Sequence, residues 1–161
     1  MKANNLLKLL GLIGFCELVG FASSLFMGNS ISNWYVLLNK PSWTPPNWLF
    51  APVWTTLYAL MGISLYLIVQ SKSRIRSKAL AIFGIQLLLN FLWTIVFFNQ
   101  HLLFVSFAVI LTLWIGILGT ILITWKVSKY ASLILIPYLG WVSIATLLNL
   151  SVLILNNTYL I

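Results

Sequence analysis

The sequence predicts an all-α membrane protein in which five transmembrane helices form one bundle. Hydrophobic residues make up 61% of the 161 residues and charged residues only 6%, whereas a soluble globular domain is about 25% charged. The apolar residues fall into five continuous runs, and each is close to the roughly 20 residues that a helix needs to cross a bilayer. Continuous runs favour helices over the alternating strands of a membrane barrel. We therefore expect one domain over residues 1–161.

The five predicted spans are separated by short polar segments, of which the longest covers residues 29–47. The spans lie near residues 6–28, 48–70, 79–99, 102–125 and 131–155, and the last four contain no Asp, Glu, Lys or Arg. The first run has a second interpretation as a cleaved signal peptide, because Lys2 and Lys8 precede it and Ala22-x-Ser24 imitates a cleavage site. Glu17 inside the apolar stretch argues against that interpretation. In the fifth span, Pro137 lies near the start, where proline is tolerated.

The distribution of basic residues predicts the orientation in the membrane. With five spans, one side of the membrane carries eight of the nine lysines and arginines, and the other carries only Lys40. The side that holds the excess of Lys and Arg is normally cytoplasmic. We expect the N-terminus in the cytoplasm, the C-terminus outside, and a bacterial cytoplasmic membrane as the location.

The remaining polar residues predict no conventional enzyme. The net charge of +8 could indicate a nucleic-acid partner, but the charges cluster in short turns between apolar runs, which is the pattern of membrane topology. Cys16, Glu17 and His101 are each the single residue of their kind, so no catalytic triad, paired carboxylates or metal site is expected. A carboxylate inside a membrane helix is a functional candidate by default, although a hydrogen-bonded structural role for Glu17 stays open.

Residues 34–46, which read WYVLLNKPSWTPP, form a stiff and non-helical outer connector. Three prolines fix φ there and exclude the residues before them from the helical region. Aromatic rings with polar edges suit the membrane–water boundary. The segment is therefore either a rigid lid over the bundle or a plain interfacial anchor, and the sequence does not choose. As a lid it supplies Trp34, Lys40 and Trp43 as candidate ligand-binding residues.

Three predicted helices carry aromatic stripes at helical spacing. The members that share one face in each helix are Trp54 and Tyr58 in the second, Asn90, Trp93 and Phe97 in the third, and Tyr138, Trp141 and Ala145 in the fifth. Such stripes usually serve packing, and an amide inside the membrane usually makes an interhelical hydrogen bond. Three stripes that meet under one loop instead favour a pocket for a flat apolar ligand such as a porphyrin or a sterol.

At these residues the chain resembles the TspO/MBR family, which includes the tryptophan-rich sensory proteins and the mitochondrial translocator protein, the peripheral-type benzodiazepine receptor. The matching strings are Trp34-Tyr35, Lys40-Pro-Ser-Trp-Thr-Pro-Pro46, Pro52-Val-Trp54 and Pro137-Tyr-Leu-x-Trp141. The similarity covers residues 6 to 155. One departure concerns the end of the fifth helix, where Leu150 and Ile154 stand in place of the Tyr and Arg of a cholesterol-recognition pattern.

The resemblance implies a five-helix membrane protein, often a homodimer, that binds tetrapyrroles such as protoporphyrin IX or a haem-like porphyrin. It implies no obligatory cofactor. Some members promote light- and oxygen-dependent breakdown of the porphyrin, and the tryptophans tied to that chemistry match Trp54 and Trp141, the candidate catalytic residues. The rest of the family's pocket wall matches Trp34, Tyr58, Asn90, Trp93, Tyr138 and Ala145.

We expect a porphyrin to enter from the outer face beneath the 34–46 segment. Trp54, Trp93 and Trp141 would stack on the ring, Asn90 and Tyr138 would orient it through hydrogen bonds, and Lys40 would pair with a propionate. Porphyrin binding and sensing is the leading hypothesis. Photochemical degradation and transport of a porphyrin or sterol-like ligand are the alternatives.

Overall fold

The structure, a computed structural model, describes residues 3–156 and confirms the predicted fold class. Within this range there is no strand, and five helices are long and apolar enough to cross a membrane. We name the long helices α1 to α5 in chain order. Their bounds are Ala3–Leu25, Phe50–Gln70, Arg76–Thr94, Leu103–Trp125 and Ile136–Asn156.

Helix ends differ from the predicted spans where local backbone chemistry decides them. Helix α1 ends at Leu25 because the chain turns immediately afterwards, and Gly28 in this turn has a φ of +49°, a left-handed conformation that glycine adopts without steric cost. Helix α3 begins at Arg76, so its first turn includes basic residues that the sequence assigned to the preceding loop. Its outer end continues as a π-helical turn over Ile95–Asn99.

The last predicted span is interrupted near its start. A short helix, Lys129–Leu133, precedes α5, and Ser128 caps it by accepting a hydrogen bond from the backbone N–H of Ala131 at 3.3 Å. Helix α5 then begins at Ile136, which makes Pro137 its second residue. Proline lacks the N–H that a continuous helix would need at that point. Pro137 therefore lies in the first turn of α5, where its missing N–H costs no helical hydrogen bond.

Close packing joins α1 to α2 near the middle of both helices. Gly62 of α2 lies against the backbone of Ile13, and a side chain at Gly62 would overlap it. Further out, Gly20 of α1 leaves room for the ring of Tyr58. Small residues allow this approach, which drives helix association in lipid. On the other side of the bundle α4 lies between α3 and α5.

The outer connector is fastened to the helix ends at several points. Asn39 and Asn156 exchange two hydrogen bonds of 2.9 Å, one through each backbone group of Asn39. The Asn99 side chain donates to the carbonyl of Phe26 at 3.1 Å. The ring of Trp34 stacks on that of His101, with centroids 4.0 Å apart and planes inclined by 16°. The segment is therefore held over the bundle rather than free.

Candidate functional site

A cavity of about 480 Å³ opens between α1, α2 and α3 beneath the outer connector. This volume is within the range of about 300–1,000 Å³ that small-molecule sites occupy. Its upper end is formed by Ile31, Tyr35 and Asn47, which lie between α1 and α2 in the chain, and its lower end lies near Glu17 and Tyr58. The cavity lies on the connector side of the close contact that Gly62 of α2 makes with α1.

Helix α1 contributes one continuous face to the cavity. Four of its lining residues, Glu17, Gly20, Phe21 and Ser24, stand at positions i, i+3, i+4 and i+7, so they lie on the same side of the helix. This face is small and polar except for Phe21. It provides room and hydrogen-bonding groups rather than aromatic surface.

Helices α2 and α3 provide the aromatic wall. The centroid of the Trp54 ring lies 6.2 Å from that of Trp93 and 5.9 Å from that of Tyr58. Phe50 and Phe98 line the same space. Aromatic rings offer a large apolar surface with few conformational degrees of freedom, which suits contact with a flat ligand. The wall is thus built from two neighbouring helices whose rings already touch.

A chain of buried hydrogen bonds lies beneath the aromatic wall. The Tyr58 hydroxyl donates to Asn90 Oδ1 at 2.6 Å, and Asn90 Nδ2 donates to the Tyr138 hydroxyl at 2.8 Å. The Tyr138 hydroxyl in turn donates to Gln86 Oε1 at 3.0 Å. These four side chains come from α2, α3 and α5 and are almost fully buried. These hydrogen bonds hold the Tyr58 ring at the lower end of the cavity, because both tyrosine hydroxyls and the amide of Asn90 have hydrogen-bond partners.

Two residues that line the cavity carry buried donors without a partner among the described residues. They are Tyr35, through its hydroxyl, and Trp93, through Nε1. Burial also raises the pKa of Tyr35, which lies outside the spans, to about 12, because the phenolate would lose its hydration. A buried donor left unpaired costs about 1–3 kcal/mol. Both donor atoms are enclosed by protein, but their side chains line the cavity, so a turn of either side chain would bring its donor to an acceptor on a ligand.

The structure brings together several of the predicted site residues. Trp54, Tyr58 and Trp93 line the cavity. Asn90 and Tyr138 lie directly behind these lining residues, in the hydrogen-bonded chain. Asn90 thus makes the interhelical hydrogen bond and also lies next to the cavity. Phe97 backs the wall, with its ring centroid 5.6 Å from that of Trp93.

The other predicted site residues lie away from the cavity lining. Trp34 stacks on His101, and Trp43 is half exposed on the connector. Trp141 is separated from the cavity by Phe50, whose ring centroid is 5.8 Å away, and Ala145 is buried further along α5.

Lys40 serves the connector itself. Its Nζ donates to the carbonyls of Tyr35 at 2.6 Å and Leu38 at 2.9 Å, with a third and longer bond to Val36. It also lies over the ring of Tyr35, 4.9 Å from the centroid. These contacts fix the bend of the connector that carries Tyr35 to the cavity.

Sequence reasoning missed the contribution of α1, because it considered aromatic stripes only. The signal that could have found this face is the run Glu17, Gly20, Ser24 and Gly28, which are polar or small residues at spacings of three and four. A polar and small stripe in an otherwise apolar span indicates a surface that avoids lipid.

The arrangement suits binding rather than acid–base or metal chemistry. Within residues 3–156 no three His, Cys, Asp or Glu side chains come close enough to hold a metal ion. Glu17 is the one charged side chain among the described residues that line the cavity. The site can therefore stack on a flat apolar molecule and hydrogen-bond its polar edge.

Comparison with known proteins gives a consistent result over most of the chain. The model of the TspO/MBR family matches residues 12–155. The tryptophan-rich protein TspO of Archaeoglobus fulgidus is 43% identical over 152 residues, which cover 94% of this chain and 99% of that protein. The protein of the same name from Chlorobaculum tepidum is 44% identical over 146 residues, covering 89% and 92%. The human translocator protein is 35% identical over 132 residues, covering 80% and 78%.

Proposed function

Because the chain belongs to the TspO/MBR family, as its motifs predicted, we propose that this integral membrane protein binds a tetrapyrrole such as protoporphyrin IX and acts in porphyrin sensing or regulation. The observation that carries the proposal is the cavity of about 480 Å³ with its indole wall. A porphyrin is a flat and largely apolar macrocycle with polar groups at its edge. A site for it needs aromatic faces and a few placed donors.

The polar groups of the cavity complement those of a porphyrin. Tyr35 and Trp93 carry unpaired donors, and a propionate oxygen is an acceptor. Bonding these groups to a ligand removes the cost of leaving them unpaired. The rings of Trp54 and Trp93 would stack on the macrocycle, since stacked aromatic pairs are worth about 0.5–1.5 kcal/mol beyond the area they bury.

The proposal is tested by titrating protoporphyrin IX into the detergent-solubilised protein and following its Soret band. Absorption of the ligand is the better readout, because substituting a tryptophan changes the protein's own fluorescence. We expect saturable binding to the wild type. Trp54→Leu and Trp93→Leu should each weaken binding about tenfold, since each removes one stacking partner and its buried area.

The matched control is Trp125→Leu. Trp125 ends α4, is half exposed and does not line the cavity, so this variant should bind as the wild type does. Equal affinity in all three variants would place the porphyrin elsewhere, in the micelle or on another surface. That result would show that the cavity is not the porphyrin-binding site.

A second candidate function is light-driven oxidation of the bound porphyrin by dioxygen, and the touching pair Trp54 and Trp93 favours it. The excited macrocycle can transfer its energy to dioxygen, and the singlet oxygen so formed can add across a carbon–carbon double bond of the ring and cleave it into two carbonyl groups. Both oxygen atoms end in the product, so dioxygen is the only oxidant needed, and the two indoles would hold the macrocycle in place. The test is illumination of the complex with and without oxygen. Soret decay no faster than that of free porphyrin in the same detergent would leave binding without catalysis.

We also propose that the N-terminus faces the cytoplasm across the cytoplasmic membrane, as the charge distribution predicts. Single-cysteine labelling tests this in intact cells, because the native Cys16 is fully buried. A membrane-impermeant maleimide should label Ser42→Cys on the connector at once. It should label Ser77→Cys, in the first turn of α3, only after permeabilisation. The reverse pattern would invert the topology.

A further inference from the structure

We propose that Glu17 orients the bound tetrapyrrole by excluding ligand carboxylates from the lower end of the cavity. The site would then accept porphyrins whose acids lie on one edge and reject those with acids on every edge. This inference rests on the proposed function and adds its specificity. Glu17 belongs neither to the aromatic wall nor to the buried hydrogen-bonded chain.

Glu17 lies well inside the membrane span. It precedes the end of α1 at Leu25 by eight residues, which at 1.5 Å per residue places it about 12 Å below that end. It is on the face of α1 that lines the cavity, one turn below Gly20, which packs on Tyr58. The carboxyl group therefore marks the lower end of the space.

The upper end of the cavity has the opposite polarity. Tyr35 presents a buried hydroxyl that lacks an acceptor. The ammonium group of Lys40 lies over the ring of Tyr35 and within 2.6 Å of its carbonyl. A hydroxyl group, with the Lys40 ammonium behind it, thus lies at the upper end of the cavity, and a carboxyl group lies at the lower end.

This difference fixes which edge of a ligand points down. Two carboxylates brought together away from water repel one another or force one of them to hold a proton, and both outcomes cost free energy. Protoporphyrin IX carries its two propionates on neighbouring pyrroles, so it can direct both upwards and its vinyl-bearing edge towards Glu17. Coproporphyrin carries one propionate on each of four pyrroles, so every orientation brings an acid to the lower end.

The test compares the two porphyrins in the wild type and in Glu17→Gln, a neutral side chain of the same shape. The quantity of interest is the ratio of Kd values between the two proteins for one ligand, because partition into detergent cancels in that ratio. For protoporphyrin IX the ratio should stay within about twofold. For coproporphyrin, Glu17→Gln should bind at least about fivefold more tightly, since the repulsion is gone. Ser151→Ala is the control, as it alters an uncharged group on α5 that does not line the cavity.

Glu17→Ser serves as a second variant in case the glutamine disturbs α1, and thermal unfolding verifies both. A Kd ratio between wild type and Glu17→Gln that is the same for the two porphyrins, or an equal effect of Ser151→Ala, would overturn the role of Glu17 while leaving porphyrin binding intact. Failure of the wild type to bind protoporphyrin IX saturably would overturn the proposed function and this inference with it. If both Glu17 variants bind coproporphyrin more tightly than the wild type does and bind protoporphyrin IX equally well, the role of Glu17 is supported.

Discussion

Replacing Asn90 by leucine should destabilise the bundle through the hydrogen-bonded chain under the cavity. Leucine has nearly the same size but can neither accept nor donate. Tyr58, whose hydroxyl donates to Asn90 at 2.6 Å, is left as a buried donor without a partner. Tyr138 loses the bond that it accepts, but it keeps its own bond to Gln86.

The magnitude follows from these two losses. An orphaned buried donor costs about 1–3 kcal/mol, and an interhelical hydrogen bond in a membrane protein is worth about 0.6 kcal/mol on average and up to about 1.7. We expect Asn90→Leu to lower the free energy of unfolding by about 2–4 kcal/mol. For a chain of this size about 1 kcal/mol shifts the unfolding midpoint by about 2–4 °C, so the midpoint should fall by about 4–16 °C.

The chain contains its own probe for this measurement. Cys16 is its single cysteine and is fully buried, so a dye that fluoresces on reaction with a thiol reports the opening of α1 during heating. Tyr58→Phe should cost less than Asn90→Leu, because it leaves only the Asn90 acceptor unpaired. Tyr66→Phe is the matched control, since the Tyr66 hydroxyl is bonded only at the surface, by Gln70. An Asn90→Leu midpoint equal to that of Tyr66→Phe would refute the reasoning.

Two further changes test the packing and the connector. Gly62→Ala should lower stability by about 1–3 kcal/mol, because the new methyl group overlaps the backbone of Ile13; Gly119→Ala, which meets open space, should be neutral or stabilising in the same dye assay. His101→Asn keeps a residue that tolerates the left-handed φ of 58° but removes the ring that stacks on Trp34. The stack is worth about 0.5–1.5 kcal/mol, so hydrogen exchange in the connector should accelerate about two- to tenfold, and unchanged protection would show that the stack does not fasten it.

The helices could be predicted from the sequence because lipid leaves few alternatives. An apolar run of about 20 residues must satisfy its backbone internally, so its identity as a helix follows from composition and length. The helix ends could not be predicted to the residue. They depend on a glycine turn after α1, on the basic first turn of α3 and on the missing N–H of Pro137, and hydropathy does not distinguish these from neighbouring residues.

The site was predictable only in part, because helical periodicity shows which residues share a face and not which faces meet. The faces of Trp54 and Trp93 do meet across the cavity wall. The face of Trp141 is of the same kind, yet Phe50 stands between it and the cavity. The opposite wall belongs to α1, whose small and polar residues lack the aromatic pattern. The position of this wall depends on how α1 packs on α2, which is a tertiary property.

The donors at the cavity wall bear on the proposed ligand. The hydrogen bonds from Tyr58 through Asn90 to Tyr138 pair their buried groups, whereas the donors of Tyr35 and Trp93 beside them are buried and unpaired among the described residues. Trp141 Nε1 and Thr124 Oγ1, which do not line the cavity, are unpaired as well, so an unpaired donor alone does not mark a ligand site. What distinguishes Tyr35 and Trp93 is that their side chains line the cavity. Acyl chains offer no acceptor, so an acceptor on a molecule in the cavity that reaches these donors would remove their cost and add to its affinity.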